Sequence, residues 1–145
     1  MPENTNRFIK FTQDYLIWIA AAVLGIYLLY SKGYIAADFV SVDVQSAYTM
    51  MTSEEQNITL VDVRTPEEYQ KDGYIAGALL LPLGTLEKEI AQLDAHKDKK
   101  LLIYCRSGSR SVSASRILEA RGFTVYNVKG GLNAWKKDKL PLGTE

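Results

Sequence analysis

A short apolar run, Lys100–Tyr104, leads directly into a polar turn, and a helical pattern follows that turn. The run predicts a buried β-strand because it is brief, apolar and rich in branched residues. The turn, Cys105–Arg110, consists of a cysteine followed by cationic, serine and glycine residues. Within residues 111–121 the apolar side chains recur at a spacing that puts them on one helical face. This part of the chain therefore predicts a strand–turn–helix unit with the cysteine on the turn.

The same alternation of strand and helix recurs along the rest of the chain. Apolar or β-branched segments predict further strands over Phe39–Ser41, Ile58–Val63, Gly77–Leu83 and Phe123–Val128. Helical segments are predicted over Val44–Met51, from Thr65 onward, over Leu86–Leu93, and after Gly130-Gly131. This order is typical of an α/β domain with a mostly parallel, helix-covered sheet. In such domains ligands bind beyond the carboxyl ends of the strands, where Asp62 and Cys105 are both expected.

Cys105 allows two interpretations. A lone cysteine after an apolar strand is commonly a small buried core residue. Here six polar or glycine residues follow it, and two of them are cationic. Amides at the start of a helix have no partner within the helix, and that end of the helix is electropositive. Such a turn accepts an anion and favours the reactive thiolate. We therefore expect a reactive cysteine in an anion-binding turn.

Composition excludes several classes of protein. The 145 residues suggest one domain with an appendage. The 17 basic and 17 acidic residues balance, so the chain has no excess of positive charge that would indicate a nucleic-acid partner. One cysteine excludes an internal disulfide, and with a single histidine, His96, there is no cysteine–histidine zinc cluster. His96 is expected in a solvated loop. The sequence predicts neither a metal site nor a cofactor.

The N-terminal segment carries no charge over residues 15–30. As a helix it covers about 25 Å, near the lower limit for crossing a bilayer core, and aromatic residues flank both ends. We predict a single membrane-spanning helix over residues 15–31. Arg7 and Lys10 precede this segment and only Lys32 closely follows it, which favours a cytoplasmic N-terminus and a domain on the outer, periplasmic face.

Two alternatives remain for the N-terminal segment: a cleaved signal peptide or a buried core helix, and the domain could instead lie on the cytoplasmic face. The predicted organisation comprises a tail over residues 1–14, the membrane helix over 15–31, a linker over 32–37, the α/β domain over 38–142 and a tail over 143–145.

Taken together, these motifs resemble the rhodanese (thiosulfate sulfurtransferase) family over roughly residues 38–142. The residues that carry the resemblance are Val61-Asp62-Val63-Arg64, Glu67-Glu68-Tyr69, Gly73 to Ala78 followed by Pro82, the turn Cys105–Arg110, and Gly130-Gly131 with Ala134-Trp135. One departure is Tyr74, where the family more often has histidine; we expect this position to be structural. The resemblance implies a five-stranded parallel sheet with helices on both faces, and a cysteine that carries a persulfide.

The resemblance also implies a two-step transfer of sulfur. The Cys105 thiolate takes the outer sulfur of thiosulfate, or of another sulfane-sulfur donor, and then passes it to cyanide or a thiol. All participants carry or develop negative charge, so the site needs hydrogen-bond donors and cations more than a proton shuttle. The residues expected to bind the donor all follow Cys105 in the turn: Arg106, Ser107, Gly108, Ser109, Arg110 and Ser111.

Distinct roles are expected within this set. Arg106 and Arg110 hold the sulfonate end of the donor, while the serines add hydroxyl donors. Gly108 permits a backbone angle that residues with a Cβ resist. Asp62 and Arg64 are expected to support the site: Asp62 orders the neighbouring loops, and Arg64 pairs with Glu68. Trp135 is expected to be a core residue.

Three other functions are weighed. Phosphatases and arsenate reductases use Cys-x5-Arg, whereas the arginine here arrives at Cys-x4-Arg, in a shorter loop that suits a sulfur atom better than a phosphoryl group. A membrane-tethered, non-catalytic binding or sensing module is disfavoured by the intact cysteine. A sulfur carrier for a partner protein needs the same turn as an enzyme, so the sequence leaves that alternative open.

Overall fold

A computed structural model describes residues 3–31, 39–53 and 57–143 and, within the first helix, the side chains of residues 15–29. The chain divides into two units, residues 1–36 and residues 37–145. In the described residues of the first unit the chain forms helix α1, Glu3–Ser31. The large apolar side chains of α1 between Tyr15 and Leu29 are 46–74% exposed.

The membrane-spanning helix predicted over residues 15–31 is not supported. Within the described residues, no helix is both long enough and apolar enough to cross a membrane. The predicted linker over residues 32–37 lies outside the described residues, as do the last two residues of the predicted tail. The side chains of Arg7 and Lys10, on which the predicted orientation depends, lie outside them as well.

The second unit is built on a five-stranded sheet. Its strands are β1 (Val40–Val42), β2 (Ile58–Asp62), β3 (Leu79–Leu80), β4 (Lys100–Tyr104) and β5 (Thr124–Val128). Their order across the sheet is β1-β5-β4-β2-β3, and every neighbouring pair is parallel. This confirms the predicted parallel α/β architecture. Asp62 is in register with Tyr104, so β2 and β4 end at the same edge.

Among the described residues of this unit, four helices connect the strands and a fifth follows β5. They are α2 (Val44–Thr52), α3 (Pro66–Asp72), α4 (Leu86–Glu89, continued by a 3-10 turn over Ile90–His96), α5 (Ser109–Glu119) and α6 (Gly131–Lys137). Helix α5 begins two residues earlier than predicted, because Gly108 caps it with a left-handed backbone. His96 is not a solvated loop residue: it ends the 3-10 turn, half-buried, with Nδ1 2.9 Å from the Thr59 hydroxyl.

Two helix starts follow from local side-chain chemistry, as predicted. The Asp43 carboxylate accepts a hydrogen bond of 2.8 Å from the Ser46 amide at the start of α2. At the start of α3, Thr65 and Glu68 form a reciprocal capping box, and Pro66 occupies the first turn. The capping box fixes Glu68 on the same edge of the sheet as Cys105.

The sheet has an apolar core on each face, because side chains alternate along the central strand β4. Leu101, Ile103 and Cys105 pack on the face covered by α5. Leu102 and Tyr104 pack on the face covered by α2 and α6. Helices thus cover both faces, as the resemblance implied. Trp135 of α6 is fully buried in the second core, and its Nε1 donates to the Pro141 carbonyl over 2.8 Å, which confirms its predicted core position.

Candidate active site

Cys105 lies between the end of β4 and the start of α5, and its sulfur faces the backbone of the turn. The Gly108 amide donates a hydrogen bond to Sγ over 3.1 Å. The Ser111 hydroxyl oxygen lies 3.7 Å from Sγ and donates to the Gly108 carbonyl over 2.9 Å. Gly108 and Ser111 thus form a cradle around the sulfur.

Opposing effects set the acidity of this thiol. Burial raises the pKa of Cys105, but the amides of Ser111, Gly108 and Ser107 and the Ser111 hydroxyl together outweigh it, and the net result is a lowered pKa. The turn therefore shifts the balance between thiol and thiolate toward the thiolate. Cys105 also has no exposed surface and packs in the core beside α5. Both sequence interpretations of this residue thus hold in part: the cysteine is buried, and it is held by anion-stabilising amides.

The Gly130-Gly131 pair supports the turn from the side of α6. The amides of Leu132 and Asn133 donate to the carbonyls of Cys105 and Arg106, over 2.8 and 3.0 Å. Gly131 has a φ of +53°, and a Cβ there would meet the Cys105 carbonyl oxygen. Only glycine permits this approach, so the pair fixes the backbone on which the thiol is carried.

Arg110 makes an ion pair with Glu68. Its Nη1 lies 2.6 Å from Oε2 of Glu68 and its Nη2 lies 2.7 Å from Oε1, a two-pronged arrangement. The hydrogen bond from Arg110 is the largest cause of the low pKa of Glu68, about 2. The guanidinium that the sequence analysis assigns to the donor's sulfonate is thus already occupied by a carboxylate. Sequence reasoning missed this role of Glu68.

Asp62 and Arg64 form a fully buried ion pair. The Arg64 Nη2 lies 2.6 Å from Asp62 Oδ2, and its Nε lies 3.0 Å from both carboxylate oxygens. Arg64 also donates to the Gly73 carbonyl over 2.8 Å. Asp62 and Arg64 therefore tie the chain after β2 to the end of α3, a supporting role without contact to Cys105.

The predicted pairing of Arg64 with the Glu68 side chain is wrong. The contact that Arg64 makes with Glu68 is a hydrogen bond of 3.3 Å to the backbone carbonyl, not to the carboxylate. The physical reason is competition: the Asp62 carboxylate lies two residues from Arg64 and is buried with it, while the Glu68 carboxylate is occupied by Arg110.

The remaining predicted donor-binding residues lie on the outer side of the turn. Arg106, Ser107 and Ser109 are exposed. Among the described residues, the Arg106 guanidinium has no hydrogen bond or ion pair with another side chain. The structure thus gathers Gly108 and Ser111 at the sulfur and leaves Arg106 as the unpaired cation of the turn.

Two tyrosines near the site have structural contacts. Tyr104 is buried, burial raises the pKa of its phenol, and its oxygen accepts from the Ile75 amide over 3.2 Å. Tyr74, the departure from the resembling family, stacks its ring on Tyr69 with centroids 4.3 Å apart. This contact gives position 74 a packing partner.

Comparison with known proteins bears on the identity of this domain. The family model described as the rhodanese-like domain matches residues 43–138. A sulfurtransferase of Allochromatium vinosum is 37% identical over 91 residues, which are 62% of this chain and 82% of that protein. The thiosulfate sulfurtransferase PspE of Escherichia coli is 36% identical over 72 residues, which are 50% of this chain and 68% of that protein.

A solved structure shares the fold. The crystal structure of a rhodanese-related protein from Thermoplasma volcanium superimposes with a TM-score of 0.66 at 28% identity, covering 74% of this chain and 100% of that one. The residues matched by the family model run from the cap of α2 to the end of α6 and include the whole turn that holds Cys105. The chain therefore belongs to the rhodanese-like domain family.

Proposed function

We propose that this protein is a sulfurtransferase that moves sulfane sulfur from thiosulfate or a persulfide, through a persulfide on Cys105, to cyanide or a thiol. The hydrogen bond from the Gly108 amide to the Cys105 sulfur, at 3.1 Å, is the observation that carries this proposal. It supports a thiolate at the carboxyl end of a central parallel strand, where α/β domains bind their ligands.

In the first step, the Cys105 thiolate attacks the outer sulfur of thiosulfate. A new S–S bond forms, the S–S bond of thiosulfate breaks, and sulfite leaves with its electron pair. The product is the Cys105 persulfide anion, and no proton is transferred. The negative charge moves outward by one sulfur atom, so the amides of the turn stabilise it before and after the step.

In the second step, cyanide or a thiolate attacks the outer sulfur of the persulfide. The S–S bond to Cys105 breaks, the acceptor keeps the sulfur as thiocyanate or a new persulfide, and the Cys105 thiolate leaves. The leaving group is stabilised by the hydrogen bonds that lower its pKa in the free protein. Because the sequence contains one cysteine, the acceptor is an external molecule.

Arg106 is the cation best placed to meet an anionic donor. It is exposed on the turn next to Cys105, and within the described part of the chain it has no acidic partner. Ser107 and Ser109 are exposed beside it and can add hydroxyl donors. Because Cys105 has no exposed surface, the exposed residues of the turn must move before the donor's sulfur can reach Sγ.

The test is intact-mass analysis of the full chain after incubation with thiosulfate. We expect the mass to increase by one sulfur atom, and we expect cyanide to remove that atom as thiocyanate. The variant Cys105→Ala should gain no sulfur, while Ser113→Ala, an exposed change in the same helix, should behave as wild type. Sulfur on the Cys105→Ala protein would refute the assignment, and hydrolysis of a phosphate ester would support the phosphatase alternative instead.

The same measurement separates an enzyme from a sulfur carrier. Both acquire the persulfide, but an enzyme returns it to small acceptors repeatedly. A persulfide that forms on Cys105 and resists both cyanide and small thiols would assign the carrier role, because discharge would then need a protein partner.

Attachment to a membrane through α1 is a separate proposal. It is supported by the uncharged, exposed apolar side chains from Tyr15 to Leu29. The test is sedimentation of the full chain with lipid vesicles. We expect the wild type to pellet with vesicles and the double variant Ala21→Asp/Leu24→Asp to stay in the supernatant; equal distributions would reject the proposal.

A further inference from the structure

Glu68 joins the two helix starts that flank the cysteine turn. Its backbone amide and carboxylate complete the capping box of α3 with Thr65. Both of its carboxylate oxygens accept hydrogen bonds from Arg110, in the first turn of α5. The two side chains are partly shielded, with 20% of Glu68 and 33% of Arg110 exposed. Partial shielding strengthens such a pair, because water screens it less.

Arg110 is also within electrostatic reach of the reacting sulfur. Hydrogen bonding to Glu68 is the largest cause of the raised pKa of Arg110; burial opposes it, and the charge on Cys105 adds to it. The pKa of Glu68, about 2, keeps the carboxylate ionised at neutral pH. The Glu68 carboxylate therefore offsets the positive charge of Arg110 near the thiolate. Of the two arginines that the structure describes in the turn, Arg106 is the one left for a ligand.

This charge balance bears on which donors the site accepts. Thiosulfate brings two negative charges toward a thiolate that already carries one. An alkyl persulfide brings at most one. Within the described residues, Arg106 is the unpaired cation of the turn. Since Coulomb repulsion grows with the product of the charges, such a site penalises thiosulfate more than it penalises a persulfide.

We propose that Glu68 is a specificity-determining residue: by holding the guanidinium of Arg110 it selects singly charged persulfide donors over doubly charged thiosulfate. This inference rests on the proposed sulfur transfer and adds the charge class of the donor. With an alkyl persulfide, the Cys105 thiolate attacks the outer sulfur and the S–S bond of the donor breaks. The alkyl thiolate leaves and takes a proton from water, and Cys105 keeps the persulfide.

The test compares Glu68→Gln with Glu67→Gln in the full chain. Glu67 is exposed and adjacent, so its replacement removes the same charge without touching Arg110. Glutamine at position 68 keeps the shape of the side chain and one acceptor oxygen for Arg110. We expect Glu68→Gln to lower the KM for thiosulfate about fivefold, the upper range for a partly exposed ion pair. The KM for 2-hydroxyethyl persulfide should stay within about twofold, and Glu67→Gln should leave both constants within the same range.

The double variant Glu68→Gln/Arg110→Gln checks that charge is the cause. It removes both charges of the pair, so the KM for thiosulfate should return to within about twofold of wild type. If the KM for thiosulfate is still fivefold lower in the double variant than in wild type, the charge explanation is contradicted. A rise in the KM for both donors in Glu68→Gln would contradict it as well.

A measurement of sulfate binding tests the role of Glu68 independently of the proposed sulfur transfer. Sulfate is a dianion that cannot donate sulfur, and its binding is measured by protection of Cys105 from iodoacetamide. Glu68→Gln should need about fivefold less sulfate for half protection than wild type or Glu67→Gln. If sulfate protects Cys105 equally well in wild type and Glu68→Gln, the proposed role of Glu68 is wrong, whatever the rates of sulfur transfer. If wild type takes no sulfur from either donor, the proposed function fails while the sulfate comparison still decides the role of Glu68.

Discussion

The amide of Gly108 donates its hydrogen bond to the sulfur of Cys105 over 3.1 Å, and it does so from a left-handed backbone. The φ of Gly108 is +109°, a conformation that residues with a Cβ rarely adopt. A Cβ at this position would also lie 3.3 Å from the amide nitrogen of Gly130. The acidity of the thiol therefore depends on a backbone geometry that requires glycine.

Gly108→Ala should raise the pKa of Cys105 by about one unit, because a hydrogen bond to a charged group contributes roughly 1.5 kcal/mol. Raising the pKa of a thiol lowers its thiolate fraction at neutral pH, so alkylation by iodoacetamide should slow at pH 7, by at most about tenfold. The measurement is the alkylation rate as a function of pH. Gly122→Ala is the matched control, since Gly122 has a φ of +84° with open space around it. An unchanged pH midpoint in Gly108→Ala would contradict the role of this amide.

Gly131→Ala should disrupt the cysteine turn at its contact with the start of α6. The new Cβ would meet the carbonyl oxygen of Cys105 and come within 3.0 Å of Arg106, so the hydrogen bonds that Leu132 and Asn133 donate to the turn would be distorted. We expect sulfur loading of Cys105 to fall at least about tenfold, and the free energy of unfolding to fall by roughly 1–3 kcal/mol. Mass analysis and urea titration measure these effects.

Gly84→Ala is the control for this change. Gly84 is exposed, and a Cβ there meets nothing within 4 Å. Its stability and sulfur loading should match wild type within error. Full sulfur loading in Gly131→Ala would show that the close approach of α6 is not needed for the reaction.

The strands and helix starts were accessible to sequence reasoning because local chemistry determines them. The run before Cys105 forms β4, and the capping residues Asp43 and Thr65 begin α2 and α3 as predicted. The boundary of α5 moved by two residues because a glycine cap has no side-chain signal in the sequence. The position of Cys105 on an anion-stabilising turn followed from the same local pattern.

The contacts that distinguish this site could not be inferred locally. Glu68 and Arg110 are 42 residues apart in the sequence. The capping box of α3 already explains a glutamate at position 68, so the sequence contains no signal for its ion pair with Arg110. The Gly130-Gly131 pair is near Cys105 only because α6 packs against the turn. Likewise, Arg64 has three carboxylates within four residues, those of Asp62, Glu67 and Glu68, and burial with Asp62 determines which of them it pairs with.

Asp62→Ala should strongly destabilise the domain. It would leave the Arg64 guanidinium buried without its carboxylate partner, at a cost of about 3–5 kcal/mol in the free energy of unfolding. Urea titration measures this cost. Asp94→Ala breaks the exposed pair with Lys97 and should change stability by less than about 1 kcal/mol. Equal effects of the two substitutions would show that burial does not strengthen the Asp62–Arg64 pair.

Acid should remove the stabilisation that comes from Glu68. The pKa of Glu68 falls from an ordinary 4.5 to about 2 in the folded protein, chiefly because Arg110 donates to it, so its contribution is complete above pH 4.5. As the pH falls from 4.5 to about 2, the unfolded chain binds the proton first, and the contribution is lost. The free energy of unfolding of wild type should exceed that of Glu68→Gln by about 1 kcal/mol at pH 7, the upper range for a partly exposed ion pair, and this difference should vanish as the pH falls through about 2.

Urea titrations of both proteins across this pH range measure the difference. The exposed Glu87→Gln serves as the control and should parallel wild type throughout. A gap between wild type and Glu68→Gln that stays constant from pH 7 to pH 2 would mean that the carboxylate stabilises the fold through packing. In that case the ion pair with Arg110 would contribute little free energy, because only a charge-dependent contribution disappears when the carboxylate is protonated.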